Sequence, residues 1–228
     1  MREEKLKKNY SLGYAGSKND GVCILFPYLE EGIAYVKKHK IKDVCIWPED
    51  EKNYTADLDF LQGLDFIENF EWLVPLSKKS SIEGIYNLSR LRYLRWASGN
   101  DFNIDFSKLT TIEDMNICYH KQLLNFEKLI NLKELFVQPV KTANLQFLSG
   151  LKSLEDLRLR GGGLASLEGL EHCAKLKKLF IQSCYKLIDV SAVLRKLKNI
   201  EWVVIQSCKK NDVNAKDFEG RIPHLIIC

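Results

Sequence analysis

A chain of 228 residues, 46% hydrophobic and 28% charged, has the size of one domain or one elongated array and enough apolar material for a core. Lys and Arg number 34 against 30 Asp and Glu, and a net charge of +4 is too mild to point to nucleic acid. No apolar run approaches the roughly 20 residues that span a bilayer, and the opening MREEKLKKNYSLGYAG has no apolar export segment, so the expected protein is cytoplasmic, with no membrane partner and with its 7 cysteines reduced.

In chain order, residues 1–20 are polar and irregular and read as an arm or cap. Val22-Cys23-Ile24 is a short apolar stretch. Leu29–His39 reads as a helix, acidic at Glu30 and Glu31 and basic at Lys37, Lys38 and His39, as the helix dipole favours. Val44-Cys45-Ile46 then repeats the first stretch, and the next core of this kind, Leu73-Val74-Pro75, comes only after a longer interval. An insertion is therefore expected near Glu49–Asp59, and Pro75 sits awkwardly in an inward strand position. Similar cores then begin at Leu94, Met115, Leu135, Leu157, Leu179, Val203 and Leu225, in near-equal steps of roughly 20–25 residues, the range of a stacked repeat. Apolar residues stand three and six positions upstream, as with Leu151 and Leu154 before Leu157. Ser191–Leu197 reads as a second helix inside the longest of these later steps. The last strand, His224-Leu-Ile-Ile-Cys228, presents an open edge on which a second copy of the chain could pair. The resulting division is 1–20 arm or cap, 21–66 irregular repeats with the insertion, and 67–228 regular repeats.

In such a core the alternating residues face opposite sides of a strand. One coil cannot bury its own apolar side, whereas stacked coils bury it together under a parallel sheet. The spacing resembles the leucine-rich repeat, L-x-x-L-x-L-x-x-N/C, in its short, internalin-like, bacterial cytoplasmic form. That resemblance implies an α/β solenoid, a horseshoe with short parallel strands on the concave face and 3₁₀ or short helical segments on the convex one. The doublet IQSC, at Ile181–Cys184 and again at Ile205–Cys208, then has a structural meaning: both cysteines occupy the inward N/C position at the turn. His120, Val140 and Gly162 hold that position in three middle repeats, so no asparagine ladder is expected. The run Arg160-Gly161-Gly162-Gly163 reads as a tight turn rather than an anion-binding nest.

No phosphate-binding loop, nucleophile elbow or zinc-protease motif is present. The four histidines fall in different repeats and neither IQSC cysteine belongs to a C-x-x-C pair, so no metal, no cofactor and no enzymatic activity are expected. Cys23 and Cys45 take equivalent outward positions in adjacent repeats and could approach each other, but the expected cytoplasmic setting makes a disulfide the lesser reading. The outward positions of the sheet carry the chemistry instead: Trp72, Arg95, Asp114, Glu134, Phe136, Asp156, Arg158, Arg160, Phe180 and Trp202. Exposed aromatics beside Arg are typical anchors of protein interfaces, and the consecutive acids Asp114, Glu134 and Asp156 call for basic groups to offset them. The family resemblance implies protein recognition as well. The expected function is binding of a protein partner through this face, as an immunity or inhibitor protein against a toxin or enzyme, with an adaptor in an assembly as the alternative.

Overall fold

The computed structural model describes Tyr10–Leu12 and residues 21–228; the expected arm or cap otherwise lies outside the described residues. The chain forms two compact units, one ending at Phe102 and the other running from Asn103 to Cys228. In the first, β1 (Tyr10–Leu12) pairs antiparallel with β2 (Val22–Leu25), and β3 (Asp43–Trp47), β4 (Asn69–Trp72) and β5 (Tyr93–Trp96) follow in parallel order. In the second, β6 (Asp114–Tyr119), β7 (Glu134–Val140), β8 (Asp156–Arg160), β9 (Lys178–Gln182), β10 (Trp202–Gln206) and β11 (His224–Ile227) are all parallel neighbours in sequence order. From β2 onward each strand returns to the next through a short 3₁₀ turn or helix, which is the leucine-rich-repeat solenoid.

Helix α1 (Leu29–His39) follows β2 as its charge pattern requires, and it ends at Lys40, which takes a left-handed φ of 52°. It buries Gly32, Ile33 and Val36. A Cβ at Gly32 would stand 2.6 Å from the Ile24 side chain, so glycine sets how closely the helix can lie on β2.

One register differs from expectation. Strand β4 is Asn69–Trp72, three residues before Leu73-Val74-Pro75: Phe70 pairs with Val44 and Leu94, and Trp72 with Ile46 and Trp96. The run Leu64, Ile67, Phe70, Leu73, Leu76 is apolar at every third residue, so spacing alone leaves the start of the core undetermined by three. Trp72 decides it. Its side chain is 0% exposed and sits among Phe26, Phe60, Phe70 and Trp96, with ring centroids 5.9 to 6.4 Å away, and its indole N–H donates to the Val74 carbonyl at 2.8 Å. The largest apolar side chain gains most from burial. Trp72 therefore belongs to the core, and its placement on a partner-facing surface is corrected. Pro75 falls beyond the strand, where its carbonyl accepts the Tyr54 N–H at 2.8 Å and its missing N–H breaks no ladder bond.

In the second unit each coil delivers its apolar residues at the expected spacing; Leu148, Leu151, Leu154, Leu157 and Leu159 are all fully buried. At the turns after β9 and β10, Ser183 and Ser207 take φ of 55° and turn Cys184 and Cys208 inward, both buried and both free. The Cys208 sulfur accepts the Cys184 N–H at 3.4 Å, and the Cys184 thiol donates to the Gly161 carbonyl at 3.7 Å. At the equivalent Gly162, φ is 92° and a Cβ would meet the Val140 oxygen at 2.1 Å, so only glycine fits. His120 fills the same position by accepting the Gln122 N–H on Nδ1. Helix α2 (Ser191–Leu194) stops three residues short of the expected Leu197, because Leu197 and Ile200 must still reach the core before Val203. Its start is held by the following coil, where Asp212 accepts the N–H groups of Val190 and Ser191 at 2.8 and 3.0 Å.

Two stability measurements check this architecture. Leu157→Ala should cost ~2–5 kcal/mol in chemical unfolding, as truncations of buried leucine do, while Arg160→Ala, exposed on the same strand, should stay within ~0.5 kcal/mol; equal losses would mean that the inward and outward faces are exchanged. Asp212→Ala should cost ~1 kcal/mol as a lost cap. Burial opposes ionisation of Asp212, but the bonds from Ser191 and Val190 outweigh it and hold the carboxyl below its usual range. With a depressed folded pKa, the contribution is complete above the unfolded value of ~3.9 and is lost as pH falls through the lower folded value. The difference in melting temperature between parent and variant should therefore shrink on acidification, and a difference that grows would refute the cap.

A candidate protein-binding face on the second unit

The inward leucines fix where every other side chain of β6–β11 points. The residues just before them form one column across the strands: Asp114, Glu134, Asp156, Lys178, Trp202 and His224. The residues between the two inward positions form a second: Asn116, Phe136, Arg158, Phe180, Val204 and Ile226. Arg160, Gln182 and Gln206 begin a third, with the two glutamine side chains bonded at 2.9 Å. Successive members of a column stand about 4.8 Å apart.

The columns are segregated by charge. The first is acidic on β6–β8 and turns basic and aromatic from β9 onward. Arg158 leans along its own strand to Asp156, with Nε 3.3 Å from Oδ1 and Nη2 3.5 Å from Oδ2. Its guanidinium is held more firmly protonated than usual, first by that bond to Asp156 and also by the charges of Glu134 and Asp114. The acidic row is thus partly offset from within. With Arg158 turned to Asp156, the rings of Phe136 and Phe180 border a groove of about 420 Å³, completed by Lys178, Leu179 and Trp202. Trp202 remains 43% exposed, with its ring 4.8 Å from that of His224, and Ile226 continues the apolar surface at 47%.

Of the ten residues singled out from sequence, eight lie together on this sheet face: Asp114, Glu134, Phe136, Asp156, Arg158, Arg160, Phe180 and Trp202. The other two belong to the first unit. Trp72 is in its core, and Arg95 reaches across to the carboxylate of Glu71, 3.3 Å away. Glu71 is hidden in the sequence because Leu73-Val74-Pro75 offers an equally spaced core three residues later; the signal that reveals it is Phe70, equally well spaced from Leu64 and Ile67. Its side chain is nearly fully buried, and its proton affinity is raised by desolvation, which outweighs the opposing Arg95. Among the described residues, no cluster of three His, Cys, Asp or Glu side chains is arranged to hold a metal ion.

No family model and no curated protein sequence matches the chain. Solved structures do. Internalin C2 from Listeria monocytogenes is 19% identical, with a TM-score of 0.50 over 92% of this chain and 78% of its own. The structure of the TLR13–ssRNA13 complex is also 19% identical, with a TM-score of 0.59 over 86% of this chain but only 29% of the other. Likeness of this degree concerns the fold, and the fold it shares is the one built above from the spacing of the leucines: a leucine-rich-repeat solenoid of short parallel strands and 3₁₀ returns.

Proposed function

We propose that this chain is a non-enzymatic module that binds a protein partner through the β6–β10 face of its second unit. One observation carries the reading: Phe136, Phe180 and Trp202 border a groove of about 420 Å³ on the sheet face, with Trp202 43% exposed. Partly exposed aromatics ringed by Arg and Lys are costly to leave in water and are the side chains that dominate interface energetics. The acidic row beside them favours a partner surface carrying Lys or Arg, which would speed encounter and fix orientation. In its finer form the module masks a basic surface on a toxin or other enzyme, in a cytoplasmic setting that suits a chain with seven cysteines. An adaptor within an assembly would use the same face without silencing its partner.

Capture of partners on the immobilised protein, followed by calorimetry with the one recovered, tests the reading. Phe180→Ala or Trp202→Ala should weaken binding by at least about 2 kcal/mol with the fold intact. Reversing Asp114 and Glu134 to Lys should mainly slow association, with an effect that fades at high salt. Parent-like binding by both aromatic variants, together with loss of binding on substitution of the 3₁₀ turns, would place the interface elsewhere. Loss of the partner's own activity on binding separates the inhibitor from the adaptor.

A further inference from the structure

The first unit holds a chemical arrangement that partner binding does not use. Its middle column runs Cys23, Cys45, Glu71, Arg95 on the four consecutive strands β2–β5, each directly opposite the next. Strands about 4.8 Å apart put the Cα atoms of Cys23 and Cys45 inside the window of about 4.4–6.8 Å that a disulfide spans. Both thiols are free. Cys45 is 0% exposed, and its sulfur stands 4.0 Å from Oε2 of Glu71, so its proton can be given to Glu71, while Cys23 stands opposite it on the neighbouring strand. Glu71, 2% exposed, is held in turn by the Arg95 guanidinium. Cys23 is the partly exposed end of the row.

We propose that Cys23 and Cys45 form a peroxide-reactive dithiol, with Cys23 the attacking sulfur, Cys45 the resolving one and Glu71 the base that serves it. In the first step the Cys23 thiolate attacks a hydroperoxide. An S–O bond forms and the O–O bond breaks; the alcohol leaves with the proton that Cys23 gave up, and the sulfur is oxidised by two electrons to a sulfenic acid. In the second, Cys45 passes its proton to Glu71 and attacks the sulfenic sulfur. The S–S bond forms and the S–O bond breaks, and the departing hydroxide takes the proton back as water. Two thiols and one hydroperoxide become a disulfide, an alcohol and water.

The placement suits these roles: Cys23 is the partly exposed sulfur, and the buried Cys45 is the one within reach of Glu71. A bond donated by Cys45 holds the Cys23 thiol below its ordinary pKa, against burial and the charge of Glu71. Cys45 is pushed far up by that same bond, by burial and by Glu71, so it keeps its proton until a base removes it. Desolvation makes Glu71 a stronger base than an ordinary carboxylate, and Arg95 keeps its oxygens aimed at the column. The Cys184–Cys208 pair provides an internal comparison. Its sulfurs also neighbour each other, but both are buried beneath a turn.

The test is peroxide titration of the reduced 228-residue chain with tert-butyl hydroperoxide, quenching with N-ethylmaleimide in denaturant so that buried thiols are labelled too, and peptide mass mapping. Cys23 and Cys45 should lose labelling together and appear as one linked peptide, while Cys184 and Cys208 stay unchanged. In Cys45→Ser, Cys23 should stop at a sulfenic acid that dimedone traps; in Cys23→Ser, the fast reaction should vanish. Glu71→Gln should slow disulfide closure at least about tenfold without slowing dimedone capture in the Cys45→Ser background, as loss of a general base does. Unchanged Cys23 labelling after peroxide, or earlier oxidation of Cys184 and Cys208, would overturn the proposal. Closure at the parent rate in Glu71→Gln would remove Glu71 from it, and the two serine variants decide the thiol roles even if that variant fails to fold.

Discussion

Everything in this protein follows from a requirement on the backbone: each coil must bring two apolar side chains to the same height under a sheet whose strands lie about 4.8 Å apart. No coil meets that requirement alone, because its apolar side is covered only by its neighbours. The length of chain between strands is therefore free, while the register at the strands is not. The passage from Val44 to Phe70 is longer than the steps that follow it and fits in a 3₁₀ turn at Leu58–Leu61; the passage from Leu179 to Val203 is also long and fits in α2. Both excursions return to in-register pairing. The turn after the strand is the second rigid point. Cys184, Cys208, His120 and Gly162 solve it with different chemistry, because the site needs only a group that satisfies or avoids a backbone amide or carbonyl.

With inward positions committed to packing, the outward ones are where chemistry can vary, and the two units vary differently. The middle column of the second unit is aromatic and aliphatic around one Arg, and its Trp202 neighbour is well exposed. The middle column of the first is two thiols, a carboxylate and a guanidinium, with Cys45 and Glu71 hidden from solvent. The same geometry serves opposite ends. A column of partly exposed rings offers contact area to another molecule, whereas in the first unit the buried Cys45 and Glu71 act on each other and reach solvent chemistry only through the partly exposed Cys23.

The fold was legible in the sequence because a short, near-constant repeat period, marked each time by leucines three and six positions upstream of the strand, has few other physical meanings. Eight of the ten outward residues of interest were legible for the same reason: once Leu135, Leu157 and Leu179 are inward, Phe136, Arg158 and Phe180 cannot be. The reading failed where apolar residues recur every third position from Leu64 to Leu76, since such a recurrence does not mark which members lie on the strand. Burial of Trp72 among four other rings breaks that degeneracy, and it involves Phe26 and Phe60, which no local pattern links to it. The lean of Arg158 toward Asp156 rather than across the face was equally out of reach, because it depends on rotamers and not on spacing.

Glu71 is the residue hardest to explain by stability. A carboxylate taken out of water loses several kcal/mol of solvation, and Arg95, with its exposed flank, and the Tyr93 side chain repay this only in part, so that an apolar residue of similar volume would often be at least as stable. The raised proton affinity of Glu71 is the signature of that unrepaid loss. At a column position where Phe136, Phe180 and Val204 show that apolar side chains are readily accommodated in the other unit, a buried Glu is a costly choice. What it gains is contact: its Oε2 meets both the thiol of Cys45 and the guanidinium of Arg95. A carboxylate that must stay dry, must stay basic and must touch a thiol is placed for proton transfer rather than for packing, and that is the physical ground on which the column differs from the rest of the solenoid.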